Sequence, residues 1–298
     1  MDNNIVFSKI GGSCLTGIRS IRNLTDIYSG NAKNVFILSA FTGVTDGLYL
    51  SSTDAGKRQE YADYCLKQHI RLLEGALGKN IPEYGTRMLE HSIMDFINSG
   101  SDSNYVNLDN VDSYLSIGER LSAATCSLFL KESGFRSTYI SSDELGLIAT
   151  YSGNDVIADV PASIAAIRSK LNDLFRANDL ILTTGFFARD RFGNIRTFGR
   201  NSSDYSAVAI AAASGSSKVI LYKEVDGIYQ HDPKTFKDGN VLHKIISHEK
   251  VLNEVPTSYK IVHPRAVSFA LECSIDLQVK NYFNPLSEGT LITTQKVG

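Results

Sequence analysis

Short apolar runs alternate with amphipathic stretches along nearly the whole of this 298-residue chain, and that pattern leaves few folds open. Residues 5–10 (IVFSKI) read as a strand that Gly11-Gly12-Ser13 breaks, after which Ile18, Ile21, Leu24 and Ile27 recur at helical spacing. Residues 34–40 (NVFILSA) form a second buried strand, ending in the polar loop 41–46. Further strands are expected at 138–141, 179–183, 218–222 and 276–280, with helices at roughly 161–177, 203–214 and 263–273. Such alternation predicts an α/β fold with a mostly parallel sheet covered on both faces.

Two stretches depart from it. Residues 55–133 look almost wholly helical, interrupted by the loop at 99–104 (SGSDSN), and are expected to be a helical insertion. A hairpin is expected over 187–198, with 190–194 (DRFGN) as its turn. No internal repeat, low-complexity tract or flexible linker divides the chain, so 1–298 reads as one domain, long enough to bury a core without metal or disulfide.

Charge and composition remove several classes of function. With 30 basic and 32 acidic side chains interspersed, the net charge of −2 gives no footprint for nucleic acid or an anionic membrane. No apolar run reaches membrane-spanning length and no basic flank precedes an apolar start, so a cytoplasmic protein is expected. Cys14, Cys65, Cys126 and Cys273 are far apart and read as free thiols, and the six histidines show no metal-ligand spacing.

Three strand-to-helix junctions carry the residues that chemistry would use, where helix N-termini present free N–H groups to anions. In Lys9-Ile10-Gly11-Gly12-Ser13 a lysine at a strand end precedes a backbone open to a phosphoryl group, although a surface lysine before a turn is the commoner pattern. In Gly199-Arg200-Asn201-Ser202-Ser203-Asp204, Arg200 suits a carboxylate and Asp204 a metal–phosphate complex; Ser203 or Asp204 as a plain N-cap is the commoner reason for such residues. The third, Lys223-Glu224-Val225-Asp226-Gly227-Ile228-Tyr229 followed by Asp232-Pro233-Lys234, is either an ordinary connection or the wall of a nucleotide pocket. No GxxxxGK[ST] loop, HRD…DFG set or G-x-S-x-G elbow is present.

Taken in order, these segments resemble the aspartokinases of the amino acid kinase superfamily. KIGGS at 9–13 is similar to the family's KFGG[TS], LSAFTGVTD at 38–46 to its second-strand loop, and LSIGERLSA at 115–123 to its GER helix. TGFFARDRFGNIRTFGRNSSD at 184–204 resembles TGF…GRGGSD, and LYKEVDGIYQHDPK at 221–234 resembles the nucleotide loop TDVDG[VI]Y..DPR. KIVHPRA at 260–266 and NYFNPLSEGT at 281–290 match the last two blocks. Ordered blocks spanning nearly the whole chain are far more specific than any one of them.

The resemblance implies a three-layer α/β/α sandwich, an amino-acid lobe over about 1–200 that includes the helical region, and a nucleotide lobe over about 201–298. It implies phosphorylation of the side-chain carboxylate of L-aspartate by ATP with Mg²⁺. Lys9, Asp204 and Lys260 would be catalytic, and Asp204 would support the metal. Ser39, Thr45, Glu119, Arg200 and Ser203 would bind the amino acid. Gly11, Gly12, Lys223, Glu224, Tyr229, Lys234 and Lys260 would face the nucleotide.

A carboxylate nucleophile, ionised above roughly pH 4, needs no general base, which suits a chain in which no histidine stands out. The chain departs from the motif at Asn201-Ser202 for Gly-Gly, Lys223-Glu224 for Thr-Asp, Lys234 for Arg, and Tyr259 for a small residue. Serine tolerates positive φ poorly, so a differently set loop is expected at 201–202. The chain is expected to be a catalytic domain alone, without the family's C-terminal regulatory domains, and so to be insensitive to lysine or threonine. A homodimer through the apolar faces of 55–133 is expected, with a separate regulatory chain as a possible partner. Two other readings stay open: a pathway-specific paralogue acting on another amino acid or aspartate derivative, and a non-catalytic binding subunit.

Overall fold

The structure is a computed structural model that describes residues 5–28, 30, 32–99, 108–231, 241–255 and 261–294. The first half runs β1 (Ile5–Ile10), α1 (Ile18–Arg22), α2 (Leu24–Ile27), β2 (Lys33–Leu38), α3 (Val44–Ser51), α4 (Ala55–Leu77), α5 (Glu83–Ser99), α6 (Leu108–Leu115), α7 (Ile117–Glu132) and β3 (Ser137–Tyr139). There follow α8 (Ser142–Leu145), β4 (Ile148–Ser152), β5 (Asp155–Ala158), α9 (Val160–Leu174), β6 (Leu180–Thr184), β7 (Phe187–Asp190) and β8 (Ile195–Thr197). The last part holds α10 (Ser203–Ser214), β9 (Lys218–Lys223), β10 (Ile245–Ser247), α11 (His248–Asn253), α12 (Pro264–Glu272), β11 (Asp276–Asn281) and β12 (Thr290–Thr293).

Eight strands make the main sheet in the order β10-β12-β11-β9-β1-β2-β6-β3. Every pairing in it is parallel except β11 with β12. Side chains on a strand alternate between faces, and β2 feeds two separate cores accordingly. Phe36 and Leu38 join Leu73, Leu89, Leu121 and Leu128 of α4, α5 and α7. Val35 and Ile37 join Ile167, Leu171, Val208 and Val267 of α9, α10 and α12. The result is the expected three-layer sandwich.

The described residues of the 55–133 stretch are mostly helical as expected, and they divide by burial; the loop expected at 99–104 lies, beyond Ser99, outside the described residues. Helix α7 is buried from Ile117 to Leu130 apart from Arg120 and lies against β2, β3 and β6, whereas α4 and α5 pack on its outer side. A second sheet, β5-β4-β7-β8, contains the expected β7–β8 hairpin. The Ala158 N–H donates to Tyr205 Oη at 2.9 Å and Arg265 Nη1 to the Phe198 carbonyl at 2.9 Å, which ties this sheet to α10 and α12.

The topology has one consequence for function. Neighbouring parallel strands β9, β1, β2 and β6 end level with one another, with Ile10 beside Tyr222 and Leu38, and Leu38 beside Thr184. Their loops therefore open on one edge, where α/β sheets take ligands. Among the described residues, no helix is long and apolar enough to cross a membrane.

Candidate active site

A cleft of about 630 Å³ opens at that edge, drawing residues from both halves of the chain. Lys9, next to last in β1, is only 5 % exposed, so it is not a surface lysine. Its Nζ lies 2.8 Å from Asp204 Oδ1. Lys223 closes β9, the adjacent strand, and its Nζ donates to Asp204 Oδ2 at 2.7 Å. Two ammonium groups thus share one buried carboxylate. Burial disfavours an ionised Asp204, but the charges of Lys223 and Lys9 outweigh it and hold the carboxyl well below the usual carboxylate range. Burial lowers the Lys9 ammonium below its ordinary value, an effect that Asp204 opposes and Lys223 reinforces.

Neither Ser203 nor Asp204 is a cap. Ser202 holds that position without a side-chain cap bond, and Asp204 lies in the first turn of α10 with its carboxylate taken by the lysines. Asn201 has φ 62°, a left-handed conformation that Asn tolerates, while Ser202 has an ordinary φ of −84°. The positive φ falls on the asparagine, so the serine's poor tolerance of it is not called upon. Ser203 lines the cleft at the N-terminus of α10, where the helix dipole favours an anion.

The loop after β1 has to pass close to the loop after β2. A Cβ on Gly12 would stand 2.9 Å from the Ala40 carbonyl oxygen, so only glycine fits. Ser39, in the β2–α3 connection, and Thr45, in the first turn of α3, line the cleft. Glu119, in the first turn of α7, is 3 % exposed and its Oε2 has no hydrogen-bond partner. Burial pushes its carboxyl up to about 8, against the opposing pull of the Ala40 and Glu119 N–H groups and the Lys9 charge. A buried carboxyl with an unsatisfied oxygen at a cleft wall leaves a polar group open to a ligand.

Arg200 lines the cleft too, pairs with Asp46 and stacks over the Tyr49 ring at 4.8 Å. Asp46 and Tyr49 were not singled out by sequence, although Asp46 directly follows Thr45 in the 38–46 motif. Phe186 is another addition. It lines the cleft at φ 73°, fixed by its N–H on Ser206 Oγ at 2.8 Å, and nothing in the sequence marks a phenylalanine for that conformation. His263 and Pro264, at the start of α12, also line the wall.

Two expected nucleotide contacts stand apart from the cleft lining. Glu224 is exposed and accepts from Ser13 Oγ at 2.7 Å, holding the glycine loop from outside the cleft lining. Tyr229 is half-buried, also outside that lining, and bridges to Leu242. Lys234 and Lys260 lie outside the described residues. Gly11 and Gly12 do line the cleft.

The metal expected on Asp204 meets an obstacle: each carboxylate oxygen already has a lysine nitrogen within 2.8 Å. Among the described residues, no group of three or more His, Cys, Asp or Glu side chains is arranged to hold a metal.

Comparison with known proteins agrees with this architecture. The chain is 31 % identical over 191 residues to the aspartokinase of Helicobacter pylori, covering 64 % of this chain and 45 % of that protein. It is 23 % identical over 298 residues to the aspartokinase of Rickettsia prowazekii, covering 98 % and 55 %. The chain thus spans about half the length of the curated relatives it matches. Escherichia coli aspartokinase III, solved with aspartate and ADP, superposes with a TM-score of 0.81 at 22 % identity, covering 99 % of this chain and 65 % of that one. At that identity the likeness speaks for the fold. The sequence model of the amino acid kinase family matches residues 4–281, nearly the whole described span, and the chain belongs to that family.

Proposed function

We propose that this chain transfers the γ-phosphoryl group of ATP to the side-chain carboxylate of L-aspartate, giving 4-phospho-L-aspartate. The observation that carries the reading is a single cleft holding the Lys9–Asp204–Lys223 cluster together with Glu119 and Arg200. Phosphoryl transfer to a carboxylate brings two anions together, and its main requirement is alignment and charge neutralisation rather than proton transfer. Lys9 and Lys223 supply the positive charge, Gly11 and Gly12 let the phosphates approach the backbone, and the α10 N-terminus adds oriented N–H groups.

An amino acid needs a cation for its α-carboxylate and an acid for its ammonium. Arg200 supplies the first, with the Ser203 hydroxyl beside it, and Glu119 the second, with Ser39 and Thr45 as further hydroxyl partners. The nucleotide enters as MgATP. Asp204 does not fit as a direct ligand of the ion, because a lysine nitrogen already lies against each of its carboxylate oxygens. Relatives named aspartokinases, and a solved one bound to aspartate and ADP, support the substrate pair.

The test is a panel of amino acids with MgATP and hydroxylamine, reading acyl phosphate as hydroxamate. L-Aspartate should exceed L-glutamate by about a hundredfold, because one extra methylene misplaces the reacting carboxylate. Activity confined to another amino acid would move the assignment to a paralogue with a different substrate, and no turnover with any would favour a binding subunit.

A further inference from the structure

Lys223 stands where the resembling nucleotide loop has a neutral threonine, and its side chain is 10 % exposed. It is fixed at the end of β9 by its 2.7 Å bond to Asp204 Oδ2, beside Lys9 on Oδ1. One carboxylate neutralises one ammonium, so this cluster carries a surplus positive charge that faces the cleft. The other titratable groups nearby do not cancel it. Glu119 is held largely protonated near neutral pH, the buried Cys14 thiol is pushed up to about 11, and Glu224 is exposed to solvent with its carboxylate bonded to Ser13 Oγ. A surplus buried charge is costly unless an anion arrives to meet it.

We infer that Lys223 is a phosphate-holding cation, oriented by Asp204, that takes over neutralisation a divalent ion on that carboxylate would otherwise supply. The nucleotide is therefore held with little help from metal. The inference rests on the nucleotide reading given above and deepens it, since a threonine here would leave Asp204 Oδ2 open to a metal or its water and the site one charge poorer. Lysine closes that position and keeps the charge in the protein. Lys223→Met leaves Asp204 paired with Lys9, so the substitution does not orphan the buried carboxylate.

The experiment is calorimetric titration of the intact chain with ADP, once in EDTA and once with excess Mg²⁺, for the wild type, Lys223→Met and Lys223→Arg. The wild type should bind ADP in EDTA within about tenfold of its affinity with Mg²⁺. Lys223→Met should widen that ratio by about 10- to 100-fold, the size of one charge-assisted hydrogen bond. Lys223→Arg should keep the ratio near the wild-type value. ADP binding that is strictly metal-dependent in the wild type, or a ratio unchanged in Lys223→Met, overturns the inference while leaving the kinase reading intact. No ADP binding by the wild type in either buffer overturns both.

Discussion

A lysine that nears the end of a buried strand has to find an anion, and Lys9 finds Asp204 at 2.8 Å. In the proposed reaction the same ammonium meets the charge that builds on the transferring phosphoryl group. Lys9→Ala should therefore cost about 3 kcal/mol or more in transition-state stabilisation, beyond a hundredfold in kcat, with the fold kept because Lys223 still holds Asp204. Steady-state kinetics with circular dichroism checks it, and near-normal turnover would remove Lys9 from the chemistry. Arg200 makes a different point. Its guanidinium is engaged by Asp46 in the absence of substrate, so an incoming carboxylate has to displace that acid. The pair is exposed and worth little, on the order of 1 kcal/mol or less. Asp46→Asn should accordingly lower the KM for aspartate by about two- to fivefold, leaving the KM for ATP alone. A raised aspartate KM would mean that Asp46 assists the substrate rather than competing with it.

Among the elements, α7 does most to bring the site together, because its first turn carries Glu119 against the β2–α3 loop. Gly118 makes that contact possible. A Cβ there would lie 2.9 Å from Ala40 Cβ, 3.1 Å from Val44 Cγ1 and 3.2 Å from Leu48 Cδ1. Alanine raises helix propensity by about 1 kcal/mol, but overpacking a buried junction costs about 1–3 kcal/mol, and three simultaneous contacts favour the cost. Gly118→Ala should lower Tm and weaken aspartate use together, seen in a melt and in kcat/KM; a stabilised, fully active variant would show that the junction yields easily. The strands that build the site were legible in sequence because β1, β2, β6 and β9 are nearly continuous apolar runs. The β4–β5 hairpin was not, although Gly153-Asn154 is a two-residue turn signal. Its strands IATYS and DVIA are half-exposed, with Tyr151 52 % exposed, and carry no apolar run to announce them. The charged site residues were legible for a related reason: each lies at the end of a strand or near the start of a helix. Pairings between distant segments, Lys223 with Asp204 and Arg200 with Asp46, depend on which strands become neighbours, and the sequence pattern does not specify that order.

At the scale of the whole molecule, two buried titratable groups set opposing slopes on stability against pH. Glu119 is held up to about 8, above its unfolded value of 4.5, so the folded state binds more protons between those limits and stability falls as pH rises through them. His69 is fully buried, and burial lowers it to about 4 from 6.5 despite the opposing bond to the Cys65 carbonyl. For His69 the unfolded state binds more protons, so stability rises with pH between about 4 and 6.5. The two slopes cancel from about pH 4.5 to 6.5, leaving a plateau. Above 6.5 the His69 slope is spent while Glu119 still titrates, and its contribution alone should cost the molecule about 2 kcal/mol by pH 8, roughly 4 °C in Tm. Below 4.5 the depressed carboxyl of Asp204 adds to the loss on the acid side, since its stabilisation disappears as pH falls through its folded value. Glu119→Gln removes one slope and keeps the other. Its Tm should climb from pH 4.5 to 6.5, where the wild type is flat, and then stay level to pH 8, where the wild type declines. Thermal melts of the ligand-free protein across that range decide it. Parallel curves for the two proteins would mean that Glu119 titrates in the fold much as it does in the unfolded chain, and its carboxylate would then meet the substrate ammonium already ionised.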